Sequence, residues 1–459
     1  MGTHKPLKIN TTLNRSAIPR TGKPHMVYLF VEIVGGEDAK SLPVNLGLLI
    51  DASQSMKIRM VSEEQFKELV GRGSAKEILK DGIPAWEIES APREMVKKLP
   101  RKIDYVRDAL VVVSEYLRHS DYFSLTAFAD RSVRLIPTSP GKDRASLFKN
   151  ARELEFLRLG DETLMAEGLA SAFKEIQQHK HRNLTNRIML LTDGYTKDVK
   201  ECYQWAKRAR EIDLAITTMG VGASFNEDLL IPIAEMTGGN AYYLESPDQI
   251  PQAFRKELGS ALSVSYRNLK LKIKPSKNVA IPHLYRVMPE LGNVEGEPIT
   301  EGFHLYHLGH YDPNIPPAFL VEIIVPAQKE GQYKLMEMEL TWDSDQTERK
   351  LNSIKEDVTI RLEASPQAPP NNDVMAIIDK VGAYRFGNYA LEYADGPDRE
   401  KAIILLQRAA ARLADVGEAL LSREMSSVAV DLQKKGKLDP NVTKRIKYDT
   451  RLITRRQLE

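Results

Sequence analysis

The chain has 459 residues, of which 42% are apolar and 28% are charged, so it is long enough for roughly two to four domains with separate cores. Lysine and arginine number 65 against 63 aspartates and glutamates, and the formal net charge of +2 argues against nucleic acid as a partner. The single cysteine excludes an internal disulfide and a thiolate metal cluster within the chain.

A membrane partner is not expected either. The sequence has no run of about 18 apolar residues, the minimum for a membrane-spanning helix. Its first stretch, MGTHKPLKINTTLNRS, lacks the apolar core of a signal peptide. We therefore expect a cytoplasmic protein.

Residues 1–43 contain the first strand-like segment, PHMVYLFVEIVGG. Residues 44–262 then alternate strand-like runs with helix-like runs, which predicts an α/β domain with a doubly wound, mainly parallel sheet. The predicted strands of this domain are NLGLLID, YFSLTAFAD, NRIMLLTD, LAITTMGVG and GNAYYLE. The predicted helices between them are Tyr105 to Arg118, Leu164 to His179, Val199 to Ile212 and Asn226 to Met236.

Residues 263–364 return to short alternating runs, which predict antiparallel strands with one buried face. These runs are RNLKLKIKP, FLVEIIVP, YKLMEMELTW and EDVTIRLEA. The simplest arrangement joins them with the first segment in one β-sandwich, with the α/β domain inserted between its strands.

Residues 365–459 are rich in helix formers. Val374 to Ala394 and Arg399 to Gln433 have apolar residues at three- and four-residue spacing, which predicts an antiparallel helical hairpin. From Lys434 onward, nine basic residues face three acidic ones. Such a tail is either a solvated end or a contact for an acidic partner, and Thr450 and Thr454 among its arginines are candidate sites of regulation.

Oxygen-bearing side chains follow the predicted strands of the α/β domain. Asp51, Ser53 and Ser55 follow the first strand, Thr163 precedes a helix, and Asp193 ends another buried strand. Because parallel strands end at one edge of a sheet, these five side chains can converge there. The alternative for the first three is helix capping. Five oxygen ligands without sulfur or histidine favour a hard divalent cation, Mg²⁺ before Mn²⁺ or Ca²⁺.

The motifs DASQS and LLTDG, together with Thr163, resemble the metal-ion-dependent adhesion site of von Willebrand factor A domains, whose pattern is Asp-x-Ser-x-Ser, a distant Thr and a distant Asp. The stretch GVGASFNEDLLIPIAEMTGGNAYYLESPDQIPQAF is similar to the last strand, helix and strand of that family. The resemblance implies that Ser53, Ser55 and Thr163 coordinate the metal directly, whereas Asp51 and Asp193 act through waters or hydrogen bonds. The flanking regions resemble bacterial intracellular relatives and, more distantly, inter-alpha-trypsin-inhibitor heavy chains.

The resemblance implies metal-dependent recognition of a partner protein with an exposed Asp or Glu, without catalysis. An alternative is a substrate-binding subunit of an AAA+ ATPase or of a kinase or phosphatase signalling system, as in some bacterial relatives. A hydrolase is disfavoured, because a phosphatase of the haloacid-dehalogenase type needs a second Asp where Ser53 stands. The histidines His304, His307 and His310 lie in a β and turn context, which favours packing over a metal cluster.

The sequence departs from the family pattern directly after the first motif. In most such domains the next helix begins almost at once, but here an insertion spanning residues 57–101 intervenes. Ser62 marks a predicted helix start within it, and Trp86 and Ile88 could anchor it. Because it is rooted in the metal loop, the insertion either narrows access to the metal and selects the partner or only packs on the rim.

Overall fold

The computed structural model of the chain describes residues 7–35, 40–60, 67, 70–71, 75–80, 83–88, 99–160, 162–179, 183–343 and 352–454. Its strands in chain order are β1 (Lys8–Leu13), β2 (Ala17–Pro19), β3 (His25–Val34), β4 (Val44–Asp51), β5 (Ala75–Lys80), β6 (Ile83–Ile88), β7 (Tyr122–Phe128), β8 (Ser132–Pro140), β9 (Thr185–Thr192), β10 (Leu214–Val221), β11 (Ala241–Leu244), β12 (Tyr266–Pro275), β13 (Leu284–Met288), β14 (Gly292–Asn293), β15 (Gly296–Pro298), β16 (His304–Tyr311), β17 (Ala318–Val325), β18 (Gly331–Asp343) and β19 (Asn352–Glu363).

The helices in the same order are α1 (Gln54–Lys57), α2 (Lys102–Tyr116), α3 (Arg144–Glu153), α4 (Met165–Gln178), α5 (Val199–Glu211), α6 (Glu227–Thr237), α7 (Ile250–Ser263), α8 (Asn372–Ala394), α9 (Arg399–Asp415), α10 (Ala419–Lys435) and α11 (Pro440–Leu452). None of these helices combines the length and the apolarity that crossing a bilayer requires.

A six-stranded sheet forms the centre of the α/β domain, in the order β11-β10-β9-β4-β7-β8. All neighbouring strands run parallel except β7 and β8. Every residue of β4, β9 and β10 is buried, because helices cover both faces of the sheet. The predicted fold class is confirmed, with β8, α3 and α7 as elements that the sequence patterns did not reveal.

Two further sheets form a β-sandwich around a shared core. One has the order β1-β3-β17-β13-β14, and the other has the order β15-β16-β12-β18-β19-β2. Residues of both sheets meet in one cluster that includes Leu29, Val321, Leu271 and Leu340. Strands β1 to β3 precede the α/β domain and the others follow it, so the α/β domain is inserted in the sandwich as expected.

The C-terminal region differs from the predicted hairpin. The second predicted helix is divided, because Gly417 adopts a left-handed φ of +82° between α9 and α10. A left-handed residue ends an α-helix and is tolerated best by glycine. The hairpin prediction was therefore wrong in the number of helices: α8 to α10 pack on one another, and α11 follows them.

The basic tail also differs from its prediction, because its acidic contacts belong to the same chain. The ammonium group of Lys444 pairs with Glu227, and its side chain is only 1% exposed. Thr450 and Thr454 are buried, and their hydroxyls donate to backbone carbonyls. A modifying enzyme cannot reach these hydroxyls in this fold, and the last basic residues, Arg455 and Arg456, lie outside the described part of the chain.

The two ends of the insertion after the first motif lie side by side and are hydrogen-bonded to each other. Arg59 forms an isolated antiparallel bridge with Arg101, and the backbone N–H of Met60 donates to Pro100 O at 2.8 Å. Between these points, β5 and β6 pair as an antiparallel hairpin. The predicted helix start at Ser62 lies outside the described residues, and control of partner choice by the insertion stays a prediction.

Candidate metal site

The first motif lies at the carboxyl end of β4, beside the end of β9. These two strands pair in parallel from Val44 with Thr185 to Ile50 with Leu191, so their following residues emerge side by side. Asp51 is the last residue of β4, and Asp193 comes directly after β9. Both carboxylates are almost completely buried.

Short hydrogen bonds connect the two strand ends. The hydroxyl of Ser55 donates to Asp193 Oδ1 at 2.6 Å, and Ser53 Oγ lies 2.9 Å from Ser55 Oγ. Asp51 accepts from the Ser53 backbone N–H at 2.8 Å and from the Thr192 hydroxyl at 2.6 Å. Two serines and two aspartates of the predicted set therefore lie in one cluster.

Thr163 reaches the same cluster from the loop before α4. A Cβ atom built on Gly194 would lie 3.0 Å from Thr163 Oγ1 and 4.0 Å from Asp51 Oδ2, so the hydroxyl and the carboxylate both lie against this glycine. A side chain at position 194 would crowd them, which explains why the smallest residue follows Asp193. All five sequence-predicted site residues are thus brought to one edge of the sheet.

Two residues that the sequence reading missed hold the Thr163 loop in place. The carboxylate of Asp198 accepts from the backbone N–H groups of Met165 at 3.1 Å and Ala166 at 2.8 Å, which have no acceptor within the helix because they lie in the first turn of α4. The hydroxyl of Thr196 donates to Thr163 O at 2.8 Å. These contacts join the loop after β9 to the loop before α4. The only local signal was the position of Asp198 directly before a predicted helix.

Burial and the proximity of Asp193 shape the electrostatics of Asp51. Burial, followed by the negative charge of Asp193, raises the pKa of Asp51 to about 6, against the opposing effect of hydrogen bonds from Ser53 and Thr192.

Lys102, in the first turn of α2, was also missed by the sequence reading. Its Nζ lies 2.5 Å from Asp193 Oδ2, and its side chain is 22% exposed. Two buried carboxylates thus lie close together, and the Lys102 ammonium group contacts one of them, an arrangement that favours additional positive charge.

The donor set fits a hard divalent cation. It consists of three hydroxyls and two carboxylates, and oxygen donors of this kind suit Mg²⁺, Mn²⁺ and Ca²⁺. Within the described ranges, no group of three or more His, Cys, Asp and Glu side chains is placed to hold a metal. His304, His307 and His310 lie along β16, a strand of the sandwich, and Cys202 is buried in α5.

Comparisons with known proteins identify two regions of the chain. Residues 97–256 match the sequence model of the von Willebrand factor type A domain, and residues 372–456 match that of the Sll0103-like, C-terminal alpha-helical domain. The first match includes Thr163 and Asp193 but begins after the motif from Asp51 to Ser55.

The proteins that this chain resembles align with most of its residues. It is 25% identical over 317 residues to the uncharacterized protein sll0103 of Synechocystis, which covers 67% of this chain and 74% of that protein. A von Willebrand factor type A structure from Catenulispora acidiphila is 13% identical, with a TM-score of 0.74 and 98% of both chains covered. The ArnB paralog VWA2 from Sulfolobus acidocaldarius is 16% identical, with a TM-score of 0.56 and coverage of 97% of this chain and 98% of that chain. At these identities the two structures show a shared fold. The chain therefore contains a von Willebrand factor type A domain, inserted in a β-sandwich and followed by an Sll0103-like helical domain.

Proposed function

We propose that the protein is a metal-dependent protein-interaction module, in which the cluster around Asp51 and Asp193 holds Mg²⁺, with Mn²⁺ or Ca²⁺ as substitutes. The observation that carries the proposal is the convergence of three hydroxyls and two buried carboxylates at one sheet edge. Von Willebrand factor type A domains commonly mediate protein–protein interactions, which agrees with this chemistry.

The neutral and the charged residues of the site would have different roles in metal binding. Ser53, Ser55 and Thr163 would offer neutral hydroxyl oxygens as direct ligands, while Asp51 and Asp193 orient these hydroxyls and hold bridging waters. The bound metal would supply a positive charge that neutral ligands leave only partly compensated. An Asp or Glu of a partner protein is the group that this charge would attract, and burial of such a contact would make it a centre of the interface.

We propose no catalytic role. The His179 imidazole lies beyond the carboxyl end of α4, whereas Thr163 lies at the amino end of the same helix, so it is not a partner for the site hydroxyls. His181, its neighbour in the sequence, lies outside the described residues. The same module would serve a free adaptor or a substrate-binding subunit of an AAA+ ATPase or of a kinase or phosphatase system. The cytoplasmic location stays a prediction.

Calorimetric titration of Mg²⁺ and Mn²⁺ tests the metal site. Thr163→Val removes one hydroxyl while it keeps the side-chain shape, and we expect it to weaken metal binding at least tenfold. Thr126→Val is the matched control, because Thr126 is a buried threonine of β7 whose hydroxyl has no hydrogen-bond partner among the described residues. Equal metal affinity in both variants and in Asp51→Ala would refute the assignment of the site.

Affinity capture from a lysate tests the interaction itself. We expect partners to bind in Mg²⁺, to be released by a chelator, and to be lost in Thr163→Val but retained in Thr126→Val. Replacement of acidic residues in a captured partner should reduce its binding to the wild-type protein. Partners that remain bound in chelator would contradict recognition through the metal, even where calorimetry shows that the metal binds.

A further inference from the structure

A small polar cavity lies between the α/β domain and the β-sandwich, away from the metal edge. Its volume is about 40 Å³, and its polar lining side chains are Arg187, Asn240, Ser260, Arg286, His310 and Asp312. Arg187 belongs to β9 of the parallel sheet, whereas Arg286 and His310 belong to β13 and β16 of the two sandwich sheets. The cavity is therefore built by both halves of the fold.

Several nitrogen atoms around this cavity have no hydrogen-bond partner in the described part of the chain. These atoms are Arg187 Nε, Arg286 Nη2 and both ring nitrogens of His310. The three side chains are more than nine-tenths buried, so bulk water does not solvate them. Their other contacts are already made, because Arg187 Nη1 donates to Glu257 Oε1 at 2.8 Å and Arg286 Nε donates to Glu290 O at 3.2 Å. Buried polar groups normally find partners, so these four atoms point to a guest in the cavity.

The unpaired atoms call for a guest that accepts hydrogen bonds. A guanidinium only donates, and a neutral imidazole donates from one nitrogen and accepts at the other. The imidazole of His310 is neutral, because burial and the positive charges of Arg187 and Arg267 hold its pKa well below the ordinary value. Donors therefore outnumber acceptors among the unpaired groups. A water molecule would add two hydrogens that need acceptors, whereas an anion only accepts.

Neighbouring carboxylates balance part of the positive charge around the cavity. Glu257 pairs with Arg187 at 2.8 Å, and Asp213 Oδ1 lies 3.8 Å from His310 Nδ1. Asp312 accepts from the Asn314 backbone N–H at 2.9 Å and from the Ser260 hydroxyl at 3.4 Å. The unpaired donors of Arg187 and Arg286, and not a net charge of the lining, therefore call for an accepting guest.

We propose that this cavity binds a small inorganic anion of the size of chloride, held by Arg187, Arg286 and His310. A water molecule needs about 10–15 Å³ of such space, so the cavity has room for one chloride ion and a water. Because its ligands come from the parallel sheet and from both sandwich sheets, the anion would stabilise the contact between the α/β domain and the β-sandwich.

Thermal unfolding of the full chain in different sodium salts tests the proposal. At constant ionic strength, replacing gluconate, which is too large for the cavity, with chloride or bromide should raise the Tm by about 2 °C for each tenfold increase in halide above its dissociation constant. Equal Tm values in chloride and gluconate would overturn the proposal and indicate that water alone fills the cavity.

Variants and X-ray diffraction test whether the halide binds in this cavity. Arg286→Met should raise the half-saturating halide concentration at least tenfold, while Arg423→Met, which removes an exposed arginine of α10, should leave it unchanged. His310→Phe, which removes both ring nitrogens, serves if Arg286→Met does not fold. Crystals of the wild-type protein in sodium bromide should show an anomalous peak among Arg187, Arg286 and His310. A cavity without that peak, or a halide response that persists in both variants, would refute the assignment.

Discussion

Replacement of Lys102 by Met should strengthen cation binding at the proposed metal site and weaken the metal-free fold. The ammonium group of Lys102 lies 2.5 Å from Asp193 Oδ2. Without a metal, it compensates the charge of a buried carboxylate. With a divalent cation at the same carboxylate, it is a like charge that opposes binding. The two effects of its removal therefore have opposite signs.

The size of both effects follows from the geometry. A dication and an ammonium group about 5 Å apart repel each other by about 1.7 kcal/mol at a dielectric constant of about 80, which corresponds to roughly 17-fold in affinity. The side chain of Lys102 is only 22% exposed, so water-like screening makes this a lower bound. Loss of the ion pair should cost the metal-free protein about 1–3 kcal/mol, because Asp193 remains buried.

Calorimetric Mg²⁺ titration and urea denaturation of the metal-free protein measure the two effects. Lys102→Arg keeps the charge and should bind metal like the wild type. Lys277→Met removes an exposed lysine from a turn of the sandwich and controls for the change in net charge. Unchanged or weaker metal affinity in Lys102→Met, relative to Lys277→Met, would refute the reasoning.

Three further predictions concern residues near the site and the docked tail. Asp198→Ala should lower metal affinity several-fold, because the loop of Thr163 becomes less firmly held. An unchanged metal affinity in the titration would show that Asp198 only caps α4. Cys202 should not react with a thiol reagent in the native protein at pH 8, because it is fully buried and burial raises the pKa of its thiol; rapid reaction without denaturant would contradict this burial. Lys444→Met should destabilise the protein by about 3–5 kcal/mol in urea denaturation, because it leaves the Glu227 carboxylate without its buried partner; a loss below about 1 kcal/mol would show that Lys447, 3.5 Å from Glu227, takes over.

The site was predictable where local patterns determine it. A fully apolar strand followed by a polar loop predicts the carboxyl edge of a parallel sheet, so Asp51 and Asp193 could be placed together from their sequence positions. Lys102 and Asp198 could not be found in this way. Their roles depend on contacts between residues that are distant in sequence, and nothing in the sequence around Lys102 distinguishes it from a solvated lysine.

The C-terminal region shows the limit of periodicity more clearly. The three- and four-residue spacing continues on both sides of Gly417, so it identifies helical residues but not the turn that separates α9 from α10. The basic residues of α11 look like a solvated surface in the sequence. Several of their acidic counterparts lie far away in the sequence, as Glu227 does from Lys444, 217 positions apart, and only the folded chain brings them together.

The position of α11 has a consequence for how the protein folds during its synthesis. Tyr448 packs into the core of the α/β domain, and Arg451 pairs with Glu235 of that domain and with Glu290 of the sandwich. Domains tend to fold from the amino-terminal side as the ribosome extends the chain. Here the α/β domain and the sandwich are synthesised before the helix that joins them. A nascent chain would therefore expose this uncovered junction to chaperones until translation has passed Leu452.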